Sequence, residues 1–461
     1  MRTACHSLST LLGVSAVVVV LSVLSLAGCG GGAAAPGTGD AGTDTDGSGG
    51  KTSCTFMGFA SPVAYTPSAG PRALVTTDLT GDGRLDLMIA GMRNGVATLD
   101  LLTNTGDGAF SLSALPVSIK PSSASLVAAD FNEDGIVDLA SQSNSSDGID
   151  LATGDGVLAF DYGTGHGALA SQAVTLATPE TSGRVAVGDF DGDGRPDLAF
   201  AGYDYVEVGG VTSDGRLSLP APAPANSALN VFRNAGQGSF AAPVSYAKPA
   251  TYGDLVTGDF DGDGHLDIAE LASSTAGMIR VFYNTGDGTF RDAASFGPNP
   301  DWPGFGLGVA DFNGDGVDDM ATATILRPNA SDEAMVIEVF TGARDGSFVV
   351  TTTAITAVPD VYQVATGDFN ADGRPDVALV LAPAGRGGGA PPVPVAIFAN
   401  QGDGTFAAPV IYSLSGTSEL LTNALAAGDF NGDGVTDLAV ATTGRFDPYP
   451  SAVNVLLSQC K

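Results

Sequence analysis

A single acidic pattern, D-x-[D/N/T]-x-D-G-x-x-D, occurs seven times in this chain, and it limits the possible architectures more than any other feature. The copies lie in TTDLTGDGRLDLMIA (76–90), AADFNEDGIVDLAS (128–141), VGDFDGDGRPDLAFA (187–201), TGDFDGDGHLDIAEL (257–271), VADFNGDGVDDMATA (309–323), TGDFNADGRPDVALV (366–380) and AGDFNGDGVTDLAVA (427–441). Their leading aspartates are separated by 52, 59, 70, 52, 57 and 61 residues. Between them recurs a Gly-rich turn flanked by apolar residues: NTGDGAF (104–110), GTGHGAL (163–169), NAGQGSF (234–240), NTGDGTF (284–290), GARDGSF (342–348) and NQGDGTF (400–406). Such a turn is a hairpin signal. The apolar run after each acidic loop is about five residues long before Gly, Ser or Pro breaks it, too short for a helix. Each unit therefore reads as four short strands. In the fourth unit these are 254–259, 267–271, 278–283 and 290 onward. Four-stranded units at this spacing are what a β-propeller requires.

The chain ends predict a closed ring. Phe59-Ala60-Ser61-Pro62-Val63-Ala64-Tyr65 repeats the fourth-strand segment Phe240-Ala241-Ala242-Pro243-Val244-Ser245-Tyr246. Asn454-Val455-Leu456-Leu457 repeats the third-strand segment Asn230-Val231-Phe232-Arg233. An orphan fourth strand at the front and a third strand without its fourth at the back complete one blade together, which removes the exposed edge of an open array. Cys54 and Cys460 both fall where the turn between those two strands would be. A disulfide there is expected in an export context, with two free thiols as the alternative.

Composition agrees. The chain has 51 acidic and 19 basic residues, a net charge of −32, which argues against a nucleic-acid partner. Only seven of the acids are Glu, so 44 are Asp, and there are 64 Gly and 26 Pro. Asp favours turns and hard cations whereas Glu favours helices, so helix bundles and coiled coils are excluded in favour of a turn-rich all-β protein.

Each acidic loop puts oxygen-bearing side chains at positions 1, 3, 5 and 9, a Gly at position 6 and a backbone carbonyl at position 7. Hard oxygen donors at alternating positions suit Ca²⁺. The side-chain ligand sets are Asp78, Thr80, Asp82, Asp86; Asp130, Asn132, Asp134, Asp138; Asp189, Asp191, Asp193, Asp197; and Asp259, Asp261, Asp263, Asp267. The remaining three are Asp311, Asn313, Asp315, Asp319; Asp368, Asn370, Asp372, Asp376; and Asp429, Asn431, Asp433, Asp437. The carbonyl donors are Arg84, Ile136, Arg195, His265, Val317, Arg374 and Val435. Thr80 replaces the usual Asp or Asn and weakens the first set. The third and fourth loops, with four aspartates each, are expected to bind most tightly. The alternative is a set of turns held by Asx hydrogen bonds without a cation. An EF-hand is excluded because position 12 is Ile89, Ser141, Phe200, Glu270, Thr322, Leu379 and Val440, and only Glu270 could act as the bidentate ligand. The three histidines, His6, His166 and His265, do not cluster, which leaves zinc without a site.

These loops, together with the Gly-Phe and Ala-Ala-Pro segments, resemble the FG-GAP (VCBS) repeats of integrin α-subunit propellers and related bacterial proteins. The resemblance spans residues 54–461. It implies a seven-bladed β-propeller with up to seven Ca²⁺, one between the first and second strands of each blade. Full occupancy would bring the net charge from −32 to −18.

Ahead of the repeats, residues 1–28 carry Arg2, an apolar run from Leu11 to Leu26, and then Leu26-Ala27-Gly28-Cys29. This is the layout of a secretory signal peptide, and the tetrad resembles the bacterial lipobox, which implies a lipid on Cys29. Residues 29–53 begin with Cys29, and from Gly30 to Ser53 they are mostly Gly, Ala, Thr, Asp and Ser without a large apolar residue, and read as a tether with a reach of about 25–30 Å. The expected product is an exported monomer held to a bacterial membrane, at the outer membrane or cell surface, by its lipid alone.

Tyr252, Trp302, Phe305 and Tyr362 all precede a leading Asp by six to nine residues, which puts them on the face opposite the acidic loops. Aromatics around one mouth suit a sugar or a peptide, and packing of loops against the rim is the competing reading. No G-x-S-x-G, HExxH or Walker motif occurs in the mature part, and catalytic residues are not expected. The sequence thus reads as a non-enzymatic recognition or adhesion module for an extracellular glycan or protein, with a polysaccharide-acting enzyme or a scaffold as alternatives.

Overall fold

In the computed structural model the described residues are 56–93, 96–115, 125–143, 156–170, 174–178, 182–203, 227–248, 254–272, 278–291, 294–296, 306–329, 332–355, 361–381, 394–414, 420–444 and 451–460. The signal segment, Cys29, the tether, Cys54, Tyr252, Trp302, Phe305 and most of the long insertions lie outside them. Among the described residues all regular structure is β.

Seven antiparallel four-stranded sheets follow one another along the chain. In blade 4 the inner strand Leu255–Gly258 pairs with Asp267–Ala272, that strand with Met278–Phe282, and the last with Ala294–Phe296. The acidic loop joins the first two strands of every blade, and side chains alternate between the two neighbouring blades. Ile268 packs towards blade 3, for example, while Ala269 packs towards blade 5.

The expected fourth strand of that blade, from Phe290 onward, is displaced. Phe290 instead bridges back to Asn284, and the outer strand begins at Ala294. Blade 3 has the same device, with Asn234–Gly236 and Ser239–Phe240 forming a separate two-stranded ladder. The Gly-rich turn is thus a small hairpin of its own, whose Asn is drawn towards the neighbouring blade.

The ring closes as expected. Val63–Tyr65 is the outer strand of blade 7, with Val63 opposite Val455 and Tyr65 opposite Val453. Phe56–Phe59 pairs with Ser458–Cys460 and supplies that blade's missing hairpin. Cys460 faces Phe56, two residues from Cys54 in sequence.

Seven apolar clusters fill the seven interfaces between blades, including one between blades 7 and 1 that joins Leu87, Leu102 and Phe110 to Phe430, Ala439 and Val455. The twelve largest fully buried side chains are all Phe. Six of them (Phe131, Phe190, Phe260, Phe312, Phe369 and Phe430) occupy position 2 of the acidic loops, with Leu79 in that place in blade 1. Burying each such ring contributes about 1.5–3 kcal/mol, so the loop is anchored by its own sequence next to its carboxylates.

Candidate metal centre

Each loop folds around its first aspartate. One carboxylate oxygen accepts the N–H of the Gly at position 6, at 2.7 Å in blades 1 and 2, 2.8 Å in blades 3, 6 and 7, and 2.9 Å in blades 4 and 5. Two tight reversals allow this. Position 6 has φ between 82° and 90° in all seven loops, as the invariant Gly anticipates. Position 4 is left-handed as well, even where it is Glu133 (φ 64°) or Ala371 (φ 57°), a requirement the sequence reading missed.

The ninth aspartate is fully buried in every loop. Its two oxygens tie separate parts of the blade together. In blade 3, Asp197 accepts the Phe190 N–H at 3.0 Å and the Asn234 N–H at 2.7 Å, and in blade 4 Asp267 accepts those of Phe260 and Asn284 at 3.0 and 2.7 Å. The hairpin Asn then reaches across the interface. The side-chain amides of Asn104, Asn234, Asn284 and Asn400 donate to the carbonyls of Phe430, Phe131, Phe190 and Phe312 in the preceding blade, at 2.8–2.9 Å. Where blade 5 has Gly342 in that place, a side chain would collide with Asp318 and Phe260 backbone oxygens. Asp318 makes the link instead, donating its N–H to the Asp259 carbonyl and accepting the Asp259 N–H on its carboxylate, both at 2.9 Å. These cross-blade bonds were read in the sequence only as turns. The recurrence of Asn six residues before the hairpin Phe was the available signal.

The third position separates the loops. In blades 5 and 7 the amides of Asn313 and Asn431 donate to Asp315 and Asp433 at 2.8 and 3.0 Å, and in blade 6 Asn370 reaches Asp376 at 3.4 Å. In blade 1, Thr80 gives its hydroxyl to Asp78 at 3.4 Å and its N–H to Asp86 at 3.1 Å. Blades 3 and 4 carry an acid there. Ligand atoms of Asp189, Asp191 and Asp197, and of Asp259, Asp261 and Asp267, lie within 4.8 Å of one another. In both clusters the third-position Oδ1 (Asp191, Asp261) is buried without a hydrogen-bond partner. The fifth-position acids Asp193 and Asp263 turn Oδ1 back to the N–H of position 7, at 3.0 Å in each loop, and the Arg195 guanidinium also pairs with Asp193.

Electrostatics favours an added positive charge. Desolvation is the main cause that raises the ninth-position carboxyls, to about 6 for Asp197 and Asp437, about 7 for Asp138, Asp319 and Asp376, and about 8 for Asp267. Asp86 moves in the same direction for the same reason. Asp191 and Asp261 are also raised, first by desolvation and next by the neighbouring carboxylates Asp193 and Asp263. Clustered carboxylates with an orphaned buried oxygen fit a hard divalent cation, which would supply an electrostatic partner.

Of the four aromatic candidates expected on the opposite face, Tyr362 alone lies among the described residues. It occupies an irregularity in the inner strand Val361–Gly367, between Val361, opposite Leu381, and Gln363, opposite Val380.

A closed ring of seven sheets, each with an acidic loop between its first two strands, defines the class: a seven-bladed β-propeller. The sequence matches the FG-GAP-like repeat over residues 78–141, 211–270, 268–322 and 379–440, together just over half of the chain. The chain belongs to the FG-GAP-like repeat family. No curated protein matches it in sequence.

Proposed function

We propose that this chain is a calcium-stabilised recognition propeller, exported and held to a bacterial membrane by a lipid on Cys29, that binds an extracellular glycan or protein without catalysis. The observation that carries the calcium reading is the pair of buried, unpartnered oxygens on Asp191 and Asp261 within carboxylate clusters. Bound Ca²⁺ would be held by the first, third and ninth side chains of these loops and would neutralise their mutual repulsion. The same sites in the Asn-containing loops would bind with one charge fewer. A disulfide between Cys54 and Cys460 would complement the ring closure by joining the two chain ends at blade 7.

The recognition reading rests on the FG-GAP-like propeller and on the candidate aromatics Tyr252, Trp302, Phe305 and Tyr362. A glycan array probed with and without calcium tests it. Specific binding lost in Trp302→Ala supports a lectin-like module. Turnover of a polysaccharide would overturn the non-enzymatic reading in favour of an enzyme.

A further inference from the structure

Blades 3 and 4 share the same four-aspartate loop, yet a guanidinium meets a different acid in each: Arg195 pairs with the fifth-position Asp193 in blade 3, and Arg291 with the third-position Asp261 in blade 4. Arg291 follows the hairpin Phe290, and its N–H donates to the Tyr283 carbonyl at 2.8 Å. Ala241 holds the same place in blade 3, donating to the Arg233 carbonyl at 2.8 Å. No other hairpin of the six has a charged residue there: the equivalents are Ser111, Ala170, Ala241, Val349 and Ala407. The Arg291 guanidinium lies over the Tyr283 ring, 5.0 Å from its centroid, and its Nη2 donates to Asp261 Oδ2 at 2.7 Å. Asp261 is 8% exposed, its Oδ1 is buried without a hydrogen-bond partner, and the residue clusters with Asp259 and Asp267.

We infer that Arg291 is a built-in counter-ion that competes with the cation for Asp261 and sets the blade 4 site to a weaker affinity than its own carboxylates would give. This rests on the calcium reading above. One carboxylate thus holds a guanidinium on Oδ2, leaves Oδ1 unmatched, and belongs to the acidic cluster. A positive charge at that distance opposes a divalent cation by Coulomb repulsion, moderated because the Arg291 side chain is 56% exposed and therefore open to salt screening. Stacking on Tyr283 keeps the guanidinium in place, and the Tyr283 hydroxyl donates to the Gly346 carbonyl of blade 5 at 2.6 Å, which fixes the ring in turn.

Tyr283 also provides a local probe, because terbium bound beside a tyrosine is sensitised by it. The full chain is titrated with Tb³⁺ and then with Ca²⁺ as competitor. A Tyr283→Phe variant assigns the blade 4 signal. Arg291→Ala should tighten calcium binding at this site about ten-fold at low ionic strength, and the gain should shrink as salt is raised. Arg291→Lys, which keeps the charge, should stay near the parent affinity. Unchanged or weaker binding in Arg291→Ala overturns the inference, as does a lysine variant that behaves like the alanine one. A chain that shows no tyrosine-sensitised signal and no calcium-dependent change in melting overturns the calcium reading itself.

Discussion

Among the side chains at positions 1, 3, 5 and 9, the loops of blades 3 and 4 differ from those of blades 5 and 7 only at the third, an acid in one pair and an amide in the other. Asn313 and Asn431 close their loops from within, because an amide brings its own donor to the neighbouring carboxylate. Asp191 and Asp261 bring only acceptors, and one oxygen of each is left buried and unmatched. The difference teaches that a repeated motif need not mean a repeated hydrogen-bond balance. The ring holds two loops that need a partner and others that largely satisfy themselves.

The largest expected effect is on the whole set. A melting curve in excess chelator should fall well below one in saturating calcium, since each site filled at a hundred times its dissociation constant adds about 2.7 kcal/mol. Two filled loops alone would then add about 5 kcal/mol. Coincident curves would mean that neither kind of loop holds a cation.

Next comes pH. Asp138, Asp197, Asp267, Asp319, Asp376 and Asp437 are raised from 3.8 to between about 6 and about 8, so the folded state binds protons more tightly than the unfolded chain. Their contribution is complete below 3.8 and is lost as pH climbs through the folded values, so metal-free protein should weaken steadily between about pH 4 and pH 8. Calcium should flatten or reverse that slope. Denaturant midpoints measured across the range, with and without calcium, decide the matter.

Asp191→Asn converts a blade 3 loop into the other kind, and its sign should depend on the metal. Without calcium it should stabilise by about 1–3 kcal/mol, because an unmatched buried charge is removed. In saturating calcium it should destabilise by a similar amount. A substitution that moves the melting temperature in one direction under both conditions would erase the distinction between the loops. Smaller, and indifferent to calcium, is Asn284→Ala. It loses bonds to the Phe190 and Leu266 carbonyls at 2.8 and 3.0 Å and should cost about 1–3 kcal/mol with or without the metal. A calcium-dependent cost there would mean that the cross-blade bolt is part of the cation site.

Much of the fold could be read from the chain because the repeat is written in backbone requirements. Gly83 and its six counterparts mark the reversal, and the Pro62-Val63-Ala64-Tyr65 segment announces a strand whose partners lie at the other end of the chain. The acidic clusters were legible for the same reason, since Asp189 and Asp259 stand at fixed offsets from those glycines. What escaped notice depends on contacts between separate segments, across a blade interface or within one blade, which the repeat pattern does not encode. Asn284 looks like a turn residue until Phe190 of another blade lies next to it. Arg291 looks like an ordinary surface charge until the hairpin folds it over Tyr283 and onto Asp261.

The closing of the ring has a mechanical corollary. Any pull transmitted through the segment before Phe56 arrives first at Phe56–Phe59 and then at Val63–Tyr65, the short strand whose pairing with Ala452–Leu456 shuts the circle. If the molecule is moored from that side, the latch and the mooring line are one stretch of chain. Tension between surface and ligand would then be felt at blade 7 before any other blade.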